Sequence, residues 1–140
     1  DIVLKRHIIQ ALLEEAGEGL TISVDSALAG AAQPDRVTGT RPDTGRFSFE
    51  EVRLAALGDG VAPAAGHGVW IGLLHAGREG AAWLREAVAA ARADGTLRTA
   101  RVSDLLTRGL AAGRPVRVVY TRGGWVNVNN LTDLVDASGL

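Results

Sequence analysis

The chain has no cysteine and no methionine, and Lys5 is the only lysine among 15 basic residues. The lack of cysteine excludes disulfides and thiolate metal sites. The scarcity of lysine matters for phosphate chemistry, which often depends on one placed ammonium, and leaves arginine as the main available cation. Aromatic residues make up 4% of the chain, and the formal net charge is -1. Near-neutrality argues against broad electrostatic capture of nucleic acid or an anionic membrane surface. No apolar run approaches the roughly 20 residues a membrane helix needs. No stretch reads as a secretory signal, so a cytoplasmic location is the expectation. The P-loop, GxSxG and HExxH patterns are all missing, and His7, His67 and His75 are too scattered for a metal-ligand motif.

The 140 residues present are enough for one domain with its own core. Asp1 opens directly onto an apolar pattern, as expected of a piece cut from a larger domain. Ile2, Leu4, Ile8, Ile9, Leu12 and Leu13 recur at helical spacing up to Gly17. Leu20 to Val24 predicts a short strand ending at Asp25, and residues 26–46 predict a long loop. Phe47 to Leu57 favours a strand, the GDG at 58–60 a turn, and Pro63 to Gly68 another turn. VWIGLLH at 69–75 predicts a buried strand, and Arg78 to Asp94 a helix ended by Gly95. Val102 to Ala112 predicts a second helix with Ser103 as its N-cap. Trp70 and Trp83 read as core packing.

The most informative stretch is VRVVYTRGGWVNVNNLTDLVD at 116–136. Val116 to Tyr120 predicts a buried strand, and Gly123 and Gly124 a tight turn. Trp125, Val126 and Val128 predict a further strand whose tip carries Asn127, Asn129 and Asn130. Asn130 or Thr132 then caps a helix, with Asp133 in its first turn. The short link between the last two strands forbids parallel pairing between them, so the sheet is expected to be mixed. Polar side chains at a strand tip beside a helix N-terminus are where open α/β sheets build sites.

Three segments, taken in order, resemble one family. DIVLKRHIIQALLEE followed by LTISVD, then VWIGLLHAGREGAAWLREA, then VRVVYTRGGWVNVNNLTDLVDAS are similar to the nucleotidyltransferases that make activated sugars and activated choline- or phosphonate-type headgroups. The nearest resemblance is to the nucleotidyltransferase domain fused to phosphoenolpyruvate mutases. It implies an α/β three-layer sandwich with a mixed, mostly parallel sheet, the C-terminal part of a nucleotide-diphospho-sugar transferase-like fold. It also implies Mg²⁺-dependent transfer of NMP, CMP foremost, from a nucleoside triphosphate to a phosphonate or phosphorylated acceptor, with release of pyrophosphate. The Mg²⁺ ligands implied are Asp1 and Asn129, with Asn127 as the alternative, and Asp25 and Trp125 are expected against the acceptor; no side chain is implied as a covalent catalyst. The family's late-strand aspartates are asparagines here, and Gly68 and Val69 stand where it has Glu before Trp-Ile-Gly. Its Gly-rich nucleotide loop has no counterpart in these residues, so the chain alone is expected to be inactive. The alternative is a degenerate, non-catalytic module retained for binding or dimerisation, and homo-oligomers stay open under either reading.

Overall fold

A computed structural model describes residues 2–31, 33–46, 50–128 and positions 130, 133, 135 and 138. Among them the chain runs β1 (Ile2–Leu4), α1 (Arg6–Glu14), β2 (Leu20–Asp25), β3 (Arg36–Gly39), β4 (Leu54–Leu57), β5 (Gly68–Ala76), α2 (Arg78–Ala93), α3 (Val102–Ala111), β6 (Val116–Thr121) and β7 (Trp125–Asn127). Five strands form a mixed sheet in the order β4-β3-β5-β2-β6, and β1 pairs with β7 in a separate two-stranded sheet. The fold is therefore mixed α/β.

β2 organises the main sheet. Its sequence LTISVD alternates, and a strand sends alternate side chains to opposite faces. Leu20, Ile22 and Val24 enter the apolar core with Trp83 and Leu106 from the two long helices. Thr21, Ser23 and Asp25 go to the other face, where all three are buried. Ser23 there shares a cleft with His7, Ile8 and Ala11 of α1. β5 bends across β2 at an irregularity. Ile22 faces Leu74 and Val24 faces Trp70, so three β5 residues oppose Ser23 alone. Gly72 takes φ +82 within this bulge, which a side chain would resist. The Trp70 indole N–H donates to the Leu73 carbonyl at 3.0 Å and closes it.

Three sequence expectations are corrected. The sheet is not mostly parallel: β4–β3, β3–β5 and β5–β2 are antiparallel, and only β2–β6 is parallel. A parallel neighbour requires a long crossover, and the chain makes one only between β2 and β6. Residues 26–46 are not all loop, since Arg36–Gly39 forms β3. Periodicity hid this strand, because Arg36 and Thr38 are half-exposed at a strand with one wet face. The opening apolar pattern is a strand and then a helix, not one helix. Lys5 N–H donates to the Gly124 carbonyl at 2.8 Å, so the first residues pair with β7 before the helix starts.

Among the described residues, the strand expected from Phe47 to Leu57 is a strand only at Leu54–Leu57, since Arg53 makes just an isolated bridge to Arg117; the remaining elements differ by a few residues at their ends. α3 is capped by Arg101, whose N–H reaches Asp104 Oδ2 at 2.7 Å, while Ser103 lies buried inside the helix. Asn130 and Asp133 exchange reciprocal bonds of 3.2 and 3.0 Å, the geometry of a helix N-cap. Phe47 and Thr132 lie outside the described residues.

α2 and α3 approach closely at Gly109. A Cβ there would sit 1.7 Å from Trp83 Cζ2. Gly109→Ala is expected to lower stability by about 2–3 kcal/mol through overpacking. Urea unfolding measures it, and an unchanged midpoint would show that the Trp83 ring moves aside without cost.

Candidate functional site

Asp25 ends β2 and is 3% exposed. Its Oδ1 accepts from Ala27 N–H at 2.9 Å. Its Oδ2 accepts from Gly123 N–H at 3.1 Å and from the Trp125 indole N–H at 2.7 Å. A buried carboxylate needs such donors to offset its lost hydration. Asp25 and Trp125, both expected against an acceptor, are thus brought together and bonded to each other. Both oxygens of Asp25 are occupied by protein donors, so its visible role is to position β7.

The turn at Gly123 and Gly124, with φ +62 and +78, does not fold β7 back onto β6. β7 instead pairs with β1 in the register Ile2↔Asn127, Val3↔Val126, Leu4↔Trp125. The residue that follows Asp1 in sequence is therefore opposite Asn127. Asn127 is exposed at the end of β7. Asp1 and Asn129 lie outside the described residues. Among those described, no three His, Asp or Glu side chains gather as a metal-binding cluster.

Trp125, Val126 and Asn127 line a cavity of about 230 Å³ together with Leu28, Gln33, Asp35 and Trp70. Asp35 was not singled out by sequence, where it is one acid in a polar loop. One of its carboxylate oxygens is buried without a hydrogen-bond partner. Such a group is costly to leave unmatched. The only sequence signal for it is the Pro34-Asp35 pair just before the concealed strand β3.

A second polar group lies where the loop from β3 meets the end of β6. Asp43 Oδ2 accepts from the Ser26 hydroxyl at 2.6 Å and from Arg122 Nε at 2.8 Å, and Oδ1 accepts from Gly45 N–H at 2.7 Å. Burial pushes the Asp43 carboxyl up, but the bonds from Arg122, Ser26 and Gly45 outweigh it and hold the pKa at about 2. Tyr120 donates to the Arg41 carbonyl at 2.8 Å. Burial, and then the charge of Asp43, push its phenol up to about 12. Arg117 pairs with Glu51 and, at 3.5 Å, with Glu15. Hydrogen bonds from Arg53 and Arg117 hold Glu51 below the usual carboxylate range.

Two outcomes follow. Trp125→Phe deletes one of the two donors to Asp25 Oδ2 and is expected to cost about 1.5–3 kcal/mol in urea unfolding; a loss under about 0.5 kcal/mol would mean the bond is dispensable. Asp43 is depressed from an ordinary 3.8 to about 2, so its stabilisation is fully present above 3.8 and is lost as pH falls through 2. Asn at position 43 should therefore flatten the rise in stability across that window, as read by denaturation at a series of pH values; an unchanged slope would assign the rise to other carboxylates.

No protein-family model matches the chain, and none of the curated proteins matches it in sequence.

Proposed function

We propose that the chain is the acceptor-side part of a Mg²⁺-dependent nucleotidyltransferase. The observation that carries this reading is the β1–β7 pairing, which sets Ile2 opposite Asn127. The two segments from which the resemblance draws its metal ligands come from opposite ends of the sequence, and they are neighbours here. Asn127 suits the role chemically: an exposed amide oxygen is a hard ligand of the kind Mg²⁺ accepts, although it adds no charge. Asp1 and Asn129, with Asn127 as the alternative to Asn129, would hold the ion, which when bound neutralises charge on the nucleotide phosphates.

In the reaction, an acceptor oxygen forms a bond to the nucleotide α-phosphorus as the bond to pyrophosphate breaks. The chain's own contribution is positioning. Asp25 fixes the Trp125 ring and the Gly123 backbone, and these fix β7 beside the cavity that Asn127 lines. The acceptor is a phosphonate or phosphorylated small molecule, and its uncharged part would occupy that cavity between Trp125 and Trp70. Its phosphate or phosphonate group would lie outside the cavity, toward the ion, since the described lining carries Asp35 and no cation. The three-layer, nucleotide-diphospho-sugar transferase-like architecture, the preference for CMP, the association with a phosphoenolpyruvate mutase and the cytoplasmic location belong to the same proposal.

Paramagnetic broadening by Mn²⁺, standing in for Mg²⁺, tests the metal site by NMR. Broadening should centre on Ile2–Leu4 and Trp125–Asn127, weaken in Asn127→Ala and strengthen about tenfold in apparent affinity in Asn127→Asp, which adds a charge. Broadening confined to other acidic residues, and equal in all three proteins, would sink the reading. With CTP or UTP and an acceptor, this chain alone should release no measurable pyrophosphate, because it carries no Gly-rich nucleotide loop.

A further inference from the structure

Another cleft, about 600 Å³, opens on the polar face of β2 between α1, the end of β6 and the loop at 43–46. Ser23 lines it at 1% exposure, and its hydroxyl has no hydrogen-bond partner. His7, Arg46 and Arg122 are exposed around it.

The arginines near this cleft differ in what they are bonded to. Arg41 pairs with Glu50, Arg53 with Glu51, and Arg117 with Glu51 and Glu15, so those charges are matched. Arg122 gives only its Nε to Asp43. Its two terminal NH₂ groups, and the whole Arg46 guanidinium, have no partner among the described residues. The backbone at Gly45 lies close over the Arg122 fork, since a Cβ there would come within 3.0 Å of Nη2. Asp43 also lines the cleft, but Ser26, Gly45 and Arg122 already satisfy its carboxylate. The unspent groups are therefore nearly all donors: two guanidinium edges at the rim and one buried hydroxyl.

We propose that this cleft binds a phosphate group, held between Arg46 and Arg122 with the Ser23 hydroxyl donating from the floor. Guanidinium forks match phosphate oxygens in pairs, and a hydroxyl with no protein acceptor is satisfied by the anion. The site does not depend on nucleotidyl transfer, and its ligand is a free phosphate or a soluble phosphate monoester.

The test is an NMR titration of the full 140-residue chain with inorganic phosphate at fixed ionic strength. Saturable shifts at Ser23, Gly45 and Thr121 are expected. Arg46→Gln, which removes an exposed side chain with no partner, should weaken binding about tenfold while leaving the core spectrum unchanged. Ser23→Ala removes an unsatisfied hydroxyl, so the protein stays folded, and it should also weaken binding. Methyl phosphate binding more tightly than inorganic phosphate would name a monoester as the ligand, and the reverse a free ion; both results support the site. Shifts that chloride reproduces, or that persist at equal affinity in Arg46→Gln, would overturn it.

Discussion

The Asp25 carboxylate holds the molecule's two sheets in relation to each other. It is buried at the end of β2, and its donors come from three places: its own following turn, the backbone of the β6–β7 turn, and the Trp125 indole. A buried charge lacking such donors would be strongly destabilising. Once they are supplied, the carboxylate dictates where the chain goes after β6. The glycine pair permits many turns, and Asp25 selects the one that carries β7 away from the main sheet to β1.

The same strand explains why the molecule has two unlike sides. One face of β2 is aliphatic and meets Trp83 and Leu106. The other presents Thr21, Ser23 and Asp25 to α1 and β7. Burying three polar residues in a row is expensive unless each is bonded, and Ser23 is not. Stability alone would favour an aliphatic residue there, so the polar face points to binding rather than packing.

Much of this was legible in the sequence where periodicity was strong. The helices near 78–94 and 102–112 and the strands at Leu20, Val69 and Val116 come from long runs whose spacing only one element satisfies. β3 was missed because a four-residue strand with two half-exposed members, Arg36 and Thr38, in a Gly-, Pro- and Asp-rich tract carries no decisive period. β1 was absorbed into the following helix because three apolar residues fit either pattern. Of the site, Asp25, Trp125 and Asn127 were legible as polar or aromatic groups at strand ends. Their partners were not, because the bond from Trp125 to Asp25 spans 100 residues of sequence. Asp35, Arg46 and Ser23 stand out only by what they fail to bond, which no sequence records.

The β1–β7 pair also bears on how the protein folds and opens. Three residues on each side join segments separated by nearly the whole chain. Closing so long a loop is entropically costly, and so short a ladder returns little. Pairing of β2 with β6 brings the two segments together first, so the ribbon builds on the main sheet, whose own ladders do not depend on it. A ligand that bridges both strands would lock it shut, so order at Asn127 and occupancy of its cavity rise and fall together.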